Sequence, residues 1–229
     1  MKPLTRRQIA WRAAQDIVDG SYVNLGIGLP TAVAGYIPED REIVFHSENG
    51  VLGFVPKLAS EEADPEMINA GKEPISLLPG GCFFMHTDSF VMIRGGHLDL
   101  ALLGAFEVSE KGDLANWTTD SLDAPPGVGG AMDLAVGARE IRVLMEHTSR
   151  DGAPRLKKVC RYPLTASHVV RRIYTNLAVL DVTAEGLEVR EMIPGMDLQA
   201  LQAQTEPVLR LADDCIELVA PVLDSESKA

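Results

Sequence analysis

The sequence predicts an α/β fold built as a single open, mainly parallel-sheet domain with flanking helices. Three observations carry that prediction. Between residues 22 and 46 a strand, a glycine turn, a helix and a second strand follow one another, the order of a parallel βαβ unit. Short apolar runs of strand length then recur, several of them bordered by glycine or proline pairs. Proline and glycine are spread along all 229 residues with no long linker and no break in composition. One domain over residues 1–212 is therefore expected, with an acidic tail at 213–229.

The first element is a helix. Thr5-Arg6-Arg7-Gln8 matches a capping box, and Ile9, Ala13 and Ile17, with Ala10, Ala14 and Val18 beside them, give it an apolar face that stops at Gly20. Tyr22-Val23-Asn24-Leu25 reads as a short strand leading into Gly26-Ile27-Gly28. Pro30 and Thr31 open a second helix through Tyr36, proline being favoured in a first turn. Residues 43–46 form the next strand. Residues 75–78 read as a strand stopped by Pro79-Gly80-Gly81, and residues 98–103 as a buried strand entered from Gly95-Gly96. A short helix at 131–138 follows Gly127-Val128-Gly129-Gly130. Strands are expected at 141–145, 177–182 and 187–192, and Asp197 caps a last helix through Gln204. No low-complexity segment or short repeat is present.

Composition excludes several classes of function. A net charge of −12 argues against nucleic acid or an anionic membrane as partner, yet leaves room for a phosphorylated small molecule. No apolar run approaches the roughly 20 residues of a membrane span. The basic N-terminus runs into Gln8 and Trp11-Arg12 in place of an apolar stretch, so no signal peptide is expected. Cys82, Cys160 and Cys215 are odd in number and widely spaced, which suits a reducing cytosol and matches no zinc pattern.

The chemistry concentrates at His46-Ser47-Glu48-Asn49-Gly50. Asn-Gly between apolar runs signals a hairpin, and a carboxylate at the end of a buried strand is a candidate reactive group; the local pattern admits both readings. Gly26-Ile27-Gly28 lets the backbone approach a ligand closely, or simply joins strand to helix. As a dinucleotide fingerprint it fails at Thr31, although Glu48 stands 22 residues after Gly26, near where a ribose-binding acid of an NAD-dependent oxidoreductase would fall. Gly80-Gly81 and Gly95-Gly96 read as turns, while Gly129-Gly130 precedes a helix and could face a developing negative charge. His46, His86, His97, His147 and His168 show no metal spacing, and no Gly-x-Ser-x-Gly elbow occurs. Glu48 is left as the best-placed nucleophile, of the kind that forms a covalent acyl intermediate.

Several blocks in order then become informative. They are Asn24-Leu25-Gly26-Ile27-Gly28, Ser47-Glu48-Asn49-Gly50-Val51-Leu52-Gly53, Ile68-Asn69-Ala70-Gly71-Lys72-Glu73, the run from Met92 through Leu100, Lys111-Gly112-Asp113-Leu114-Ala115-Asn116-Trp117 and Gly129-Gly130-Ala131-Met132-Asp133-Leu134. Together they resemble the B-type subunit, the catalytic half, of the family I (3-oxoacid) CoA-transferases, over nearly the whole chain except the tail. The ordered agreement outweighs the NAD reading. The resemblance implies the CoA-transferase (NagB/RpiA-like) fold, with Glu48 as nucleophile and the Gly130 N–H as an oxyanion donor shaped by Gly129. It assigns CoA contacts to Asn24, Gly26, Gly28 and Lys72, and supporting roles to Ser47, Asn49 and Gly50. It implies no metal and no cofactor, coenzyme A being a substrate. It also implies a separate A-type subunit in a hetero-oligomer, because that half supplies a second glycine-rich loop, and acyl-CoA and carboxylic acids as substrates. His46, Gly104-Ala105-Phe106-Glu107-Val108-Ser109 and Asn116-Trp117-Thr118-Thr119 are most similar to the members that use succinyl-CoA and 3-oxoadipate in aromatic catabolism. Acetoacetate- and acetate-type members are the alternative, and a non-catalytic acyl-CoA-binding subunit is a more distant one.

Overall fold

The computed structural model describes residues 1–57, 64–119 and 127–223. Continuous apolar runs form its centre, as expected of strands covered on both faces. Strands β1 (Tyr22–Leu25), β2 (Val44–Ser47), β3 (Val51–Pro56), β4 (Ile75–Phe83), β5 (Leu100–Gly104), β6 (Glu107–Ser109), β7 (Leu114–Ala115), β8 (Glu140–Leu144), β9 (Leu156–Lys157), β10 (Val170–Tyr174), β11 (Ala178–Thr183), β12 (Gly186–Met192) and β13 (Leu209–Glu217) follow in chain order. Helices α1 (Arg6–Ala14), α2 (His86–Arg94), α3 (Ala131–Gly137) and α4 (Leu198–Gln202) accompany them. Ten strands form one sheet in the order β13-β12-β11-β10-β8-β5-β1-β2-β3-β4, and β7-β6-β9 form a small second sheet. The centre from β10 to β2 is parallel throughout, while β2-β3-β4 and β10-β11-β12 are antiparallel. Leu102 of β5 and Val143 of β8 are wholly buried. Truncating Leu102 to alanine would cost about 2–5 kcal/mol.

Most expected elements form, with shifted ends. The capping box at Thr5 is made, its hydroxyl accepting from the Gln8 N–H at 3.3 Å while the Gln8 side chain accepts from the Thr5 N–H at 2.9 Å. The first helix stops at Ala14, short of Gly20, yet Ile17 beyond it is still buried. The segment after Pro30 is a 3-10 helix, Leu29–Tyr36, since Pro30 and Gly35 are poor α-helix formers in so short a crossover. Asp197 caps α4 by accepting from the Ala200 N–H.

Two expectations need correction, and one helix was not expected. Pro79-Gly80-Gly81 does not end the strand but passes through β4, where a bulge opposite Gly53 absorbs it. A Cβ on Gly81 would lie 2.3 Å from the Gly53 carbonyl oxygen, so the glycine permits close strand approach where a turn was expected. Helix α2 is not among the elements the periodicity predicts, because only its Ser89 and Ile93 are buried. The expected boundary at residue 213 falls inside β13, which pairs with β12 as far as Glu217. Leu209, Ala212 and Leu218 are buried, and the acids between them face outward along a sheet edge, where Asp214 meets Arg190 at 2.7 Å. Residues 224–229 of the expected tail lie outside the described residues.

Candidate active site

The crossover from β1 runs to β2 on one side, whereas the next parallel strand, β5, lies on the other side of β1. That reversal is a topological switch point, and the loops leaving the carboxyl ends of β1 and β5 diverge there to open a crevice. A cleft of about 440 Å³ occupies it. Asn24, Gly26, Gly28, Ser47, Glu48, Gly129 and Gly130 all line this cleft, so seven of the ten sequence-derived site residues converge.

Glu48 reaches the cleft from the tip of the β2–β3 hairpin, with His46 opposite Leu52 and Ser47 opposite Val51. The hairpin and the functional readings of Ser47-Glu48-Asn49-Gly50 therefore describe one object. Its tip is braced on all sides. The Ser47 hydroxyl accepts from the Ala70 N–H at 2.9 Å, and the Asn49 side-chain amide donates to the Ile68 carbonyl at 2.8 Å. Gly50 has φ +108°, and a Cβ there would fall 2.2 Å from the Phe84 carbonyl oxygen, so only glycine fits. Asn49 and Gly50 thus hold the tip without lining the cleft.

Beneath the tip lies a buried polar chain. Asn24 and His46 sit side by side on β1 and β2, 2% and 1% exposed. The Asn24 amide donates to the His46 carbonyl and to its Nδ1, both at 3.1 Å, which leaves Nε2 to donate to the Ser89 hydroxyl at 2.9 Å. Burial pushes His46 down to about 4, so its ring is neutral at physiological pH. Asn24 lines the cleft wall, but its amide hydrogens serve His46.

The Glu48 carboxyl group packs against the backbone of Gly130, where a Cβ would stand 2.3 Å from Oε2. Gly129 takes φ +53° in the turn that brings Gly130 there. Among the described residues no hydrogen-bond donor reaches the carboxylate. Burial raises its pKa, the charge of His86 opposes that and the charge of Asp133 adds to it. A half-buried carboxylate with unengaged lone pairs and weakened solvation is a competent nucleophile.

Lys72 stands apart. It is exposed at the tip of a turn closed by the Asn69 N–H on the Glu73 carbonyl, with φ 63°, a region lysine rarely adopts. The turn itself belongs to the site: Ala70 lines the cleft, and a Cβ on Gly71 would lie 3.8 Å from Ile27. Sequence reasoning missed His86, Ser89, Phe90 and Asp133, contributed by α2 and α3. A second, largely apolar cavity of about 700 Å³ adjoins the first through Leu25, Ser47 and Ala70. No helix among the described residues is long and apolar enough to cross a membrane.

Comparison with known proteins identifies the family. Residues 6–204 match the coenzyme A transferase family model. The chain is 55% identical over 206 residues to the B-type subunit of 3-oxoadipate CoA-transferase from Acinetobacter baylyi, covering 90% of this chain and 95% of that protein. It is 56% identical over 201 residues to the protein of the same name from Pseudomonas putida, covering 88% and 94%. The acyl-CoA transferase YdiF of Escherichia coli O157:H7, in its apoenzyme structure, superposes with a TM-score of 0.73 at 19% identity over 93% of this chain and 43% of that one, a likeness of fold. With a family match over residues 6–204 and relatives 55% and 56% identical over most of its length, this chain belongs to the coenzyme A transferase family.

Proposed function

We propose that this chain is the catalytic subunit of a CoA-transferase that moves CoA from succinyl-CoA to 3-oxoadipate through a glutamyl-CoA thioester on Glu48. One observation carries the reading: Glu48 is braced at a hairpin tip, with its carboxyl group half-buried against Gly130 and free of hydrogen-bonded partners among the described residues. The choice of substrates is supported by the names of relatives 55% and 56% identical to it.

In the proposed reaction a Glu48 oxygen attacks the thioester carbonyl and CoA thiolate leaves, giving a mixed anhydride. The thiolate attacks the glutamyl carbonyl, the donor acid departs and CoA is held as a thioester on Glu48. The acceptor carboxylate then attacks that thioester, and the released thiolate takes the new acyl group and frees Glu48. Each attack creates an oxyanion, and a preorganised donor such as the Gly130 N–H is worth about 2.7–4 kcal/mol there. Binding energy from the remote parts of CoA offsets the weak nucleophilicity of a carboxylate. Coenzyme A is a substrate, and neither a metal nor a redox cofactor takes part. The chain works with an A-type partner chain, as the B-type designation of its relatives suggests. The three free, dispersed cysteines suit work in the cytoplasm.

The test is to mix the chain with its A-type partner and succinyl-CoA without acceptor. CoA should become attached at Glu48, recoverable as the borohydride-reduced or hydroxamate derivative. The isolated chain should be inactive until the partner is added. An adduct on another residue, or full turnover by Glu48→Gln before any deamidation, would defeat the reading.

A further inference from the structure

We infer that Arg155 binds the substrate carboxylate remote from the reacting carbonyl and so makes the site selective for dicarboxylic acyl groups. The inference rests on the reading of Glu48 as nucleophile. Both residues line the same cleft, whose walls also carry the apolar side chains of Leu103, Phe106 and Met145, suited to a methylene chain.

Arg155 is fixed by its backbone. Its N–H donates to the His147 carbonyl at 3.1 Å, and its own carbonyl accepts from the Val108 N–H at 3.1 Å. His147 is fully buried and is held in turn: its N–H donates to the Asn176 side chain at 2.8 Å, and its ring bonds the Thr175 and Thr205 hydroxyls at 3.0 and 2.9 Å. The guanidinium thus projects from a rigid support. It is partly buried, yet no carboxylate of a described residue lies within ion-pair distance of it, although Glu146 lines the same cleft. Among the other partly buried arginines, Arg12, Arg142, Arg172 and Arg190 each pair with at least one acid, and Arg41 donates to the Gln15 and Ile17 carbonyls at 2.8 and 2.6 Å. Withdrawing a guanidinium from water without a partner is costly, and its planar fork matches a carboxylate in two parallel hydrogen bonds. Arg6, the second cation lining the cleft, is exposed and solvated.

The same fork would suit a phosphate of CoA, and the experiment separates the two. The assembled complex, as wild type, Arg155→Met and Arg155→Lys, is assayed with 3-oxoadipate and with 3-oxohexanoate, an acceptor of equal length ending in a methyl group. The ratio of kcat/KM for diacid over monoacid should fall about tenfold to a hundredfold in Arg155→Met. It should fall less in Arg155→Lys, which keeps the charge and loses the fork. Both acceptors are measured on one preparation, so the folded fraction cancels. An unchanged ratio overturns the inference, and so does an equal loss for both acceptors that vanishes when pantetheine replaces CoA. Trapping CoA on Glu48 from succinyl-CoA in the absence of acceptor separates the two claims. No adduct in the wild type removes the nucleophile reading, whereas an adduct with an unchanged ratio removes only the role of Arg155.

Discussion

Asp16 and Glu48 are both partly buried carboxylates beside the same sheet, and their surroundings push them in opposite directions. Burial alone would raise the pKa of Asp16, but hydrogen bonds from Arg12 at 2.7 Å and the Tyr174 hydroxyl at 2.7 Å, with the charges of Arg12 and Arg172, bring it below the ordinary range. Around it Arg12 also pairs with Glu191, and Arg172 with Asp181 at 2.6 Å. Among the described residues Glu48 has no such company, and burial keeps its pKa raised. A carboxylate that holds elements together has its lone pairs engaged; one that must react has them kept open. The nearby His46 follows the Asp16 pattern, with both ring nitrogens bonded and no polar atom left to react.

The largest test of the contrast is Glu48→Gln. Turnover should fall by about a thousandfold or more, as for loss of any covalent nucleophile, while urea or thermal unfolding shows no loss of stability. The linkage fixes the sign. Because the folded pKa of Glu48 is raised, its contribution is present below the ordinary glutamate value and lost as pH rises through the raised one. The glutamine variant should therefore match or exceed the wild type in stability at neutral pH. A clear drop in melting temperature would place Glu48 among the structural acids.

Gly130→Val comes next. The new side chain would collide with the end of a flexible carboxylate, which can swing aside, so the fold should survive and the nucleophile be displaced. Turnover should fall about a hundredfold to a thousandfold with much less change in CoA binding. Weak CoA binding with preserved turnover would mean that the seat of Glu48 against Gly130 is not what the reaction needs.

Asp16→Ala should do the reverse, leaving kcat nearly intact while chemical denaturation reveals a loss of about 2–3 kcal/mol, the cost of taking one acid from Arg12 and Arg172 and leaving the buried Tyr174 hydroxyl without its acceptor. The stabilisation by Asp16 is present above the ordinary aspartate pKa and is lost as pH falls through its lowered value. The gap between wild type and variant should therefore close in acid. A gap constant with pH would mean that lost packing, and not charge, is responsible.

Lys72→Gly has the smallest expected effect. Glycine relieves the left-handed backbone, so stability should rise by about 1 kcal/mol. If the side chain contacts CoA, affinity should fall in the same variant, and the defect should shrink with truncated pantetheine substrates. Equal defects with both substrates would leave Lys72 a solvated lysine.

Much of this was legible in the chain. The βαβ opening, the buried strands, the Thr5 and Asp197 caps and Glu48 at the end of an apolar run follow from local pattern, because periodicity and turn chemistry act within a few residues. Helix α2 escaped notice because it buries a serine, Ser89, whose place is set by His46 43 residues earlier in the chain. The passage of β4 through Pro79-Gly80-Gly81 depends on Gly53 across the sheet. The acids after residue 212 suggest a solvated tail until β12 is seen to pair with them.

By itself the sequence determined the fold class, the hairpin that carries Glu48 and the glycines that let backbones meet there. Residue type and short spacing suffice for these, since a tight turn admits few side chains and an apolar run must find cover. Only the tertiary structure decided which side chains surround the carboxylate. It brought Gly130, His86 and Asp133 to Glu48 and, among the described residues, withheld the hydrogen bonds that Asp16 receives and set Arg155 in the same cleft without an acid beside it. A pKa, an ion pair and a cleft are properties of distance, and distance between residues remote in sequence is settled by packing.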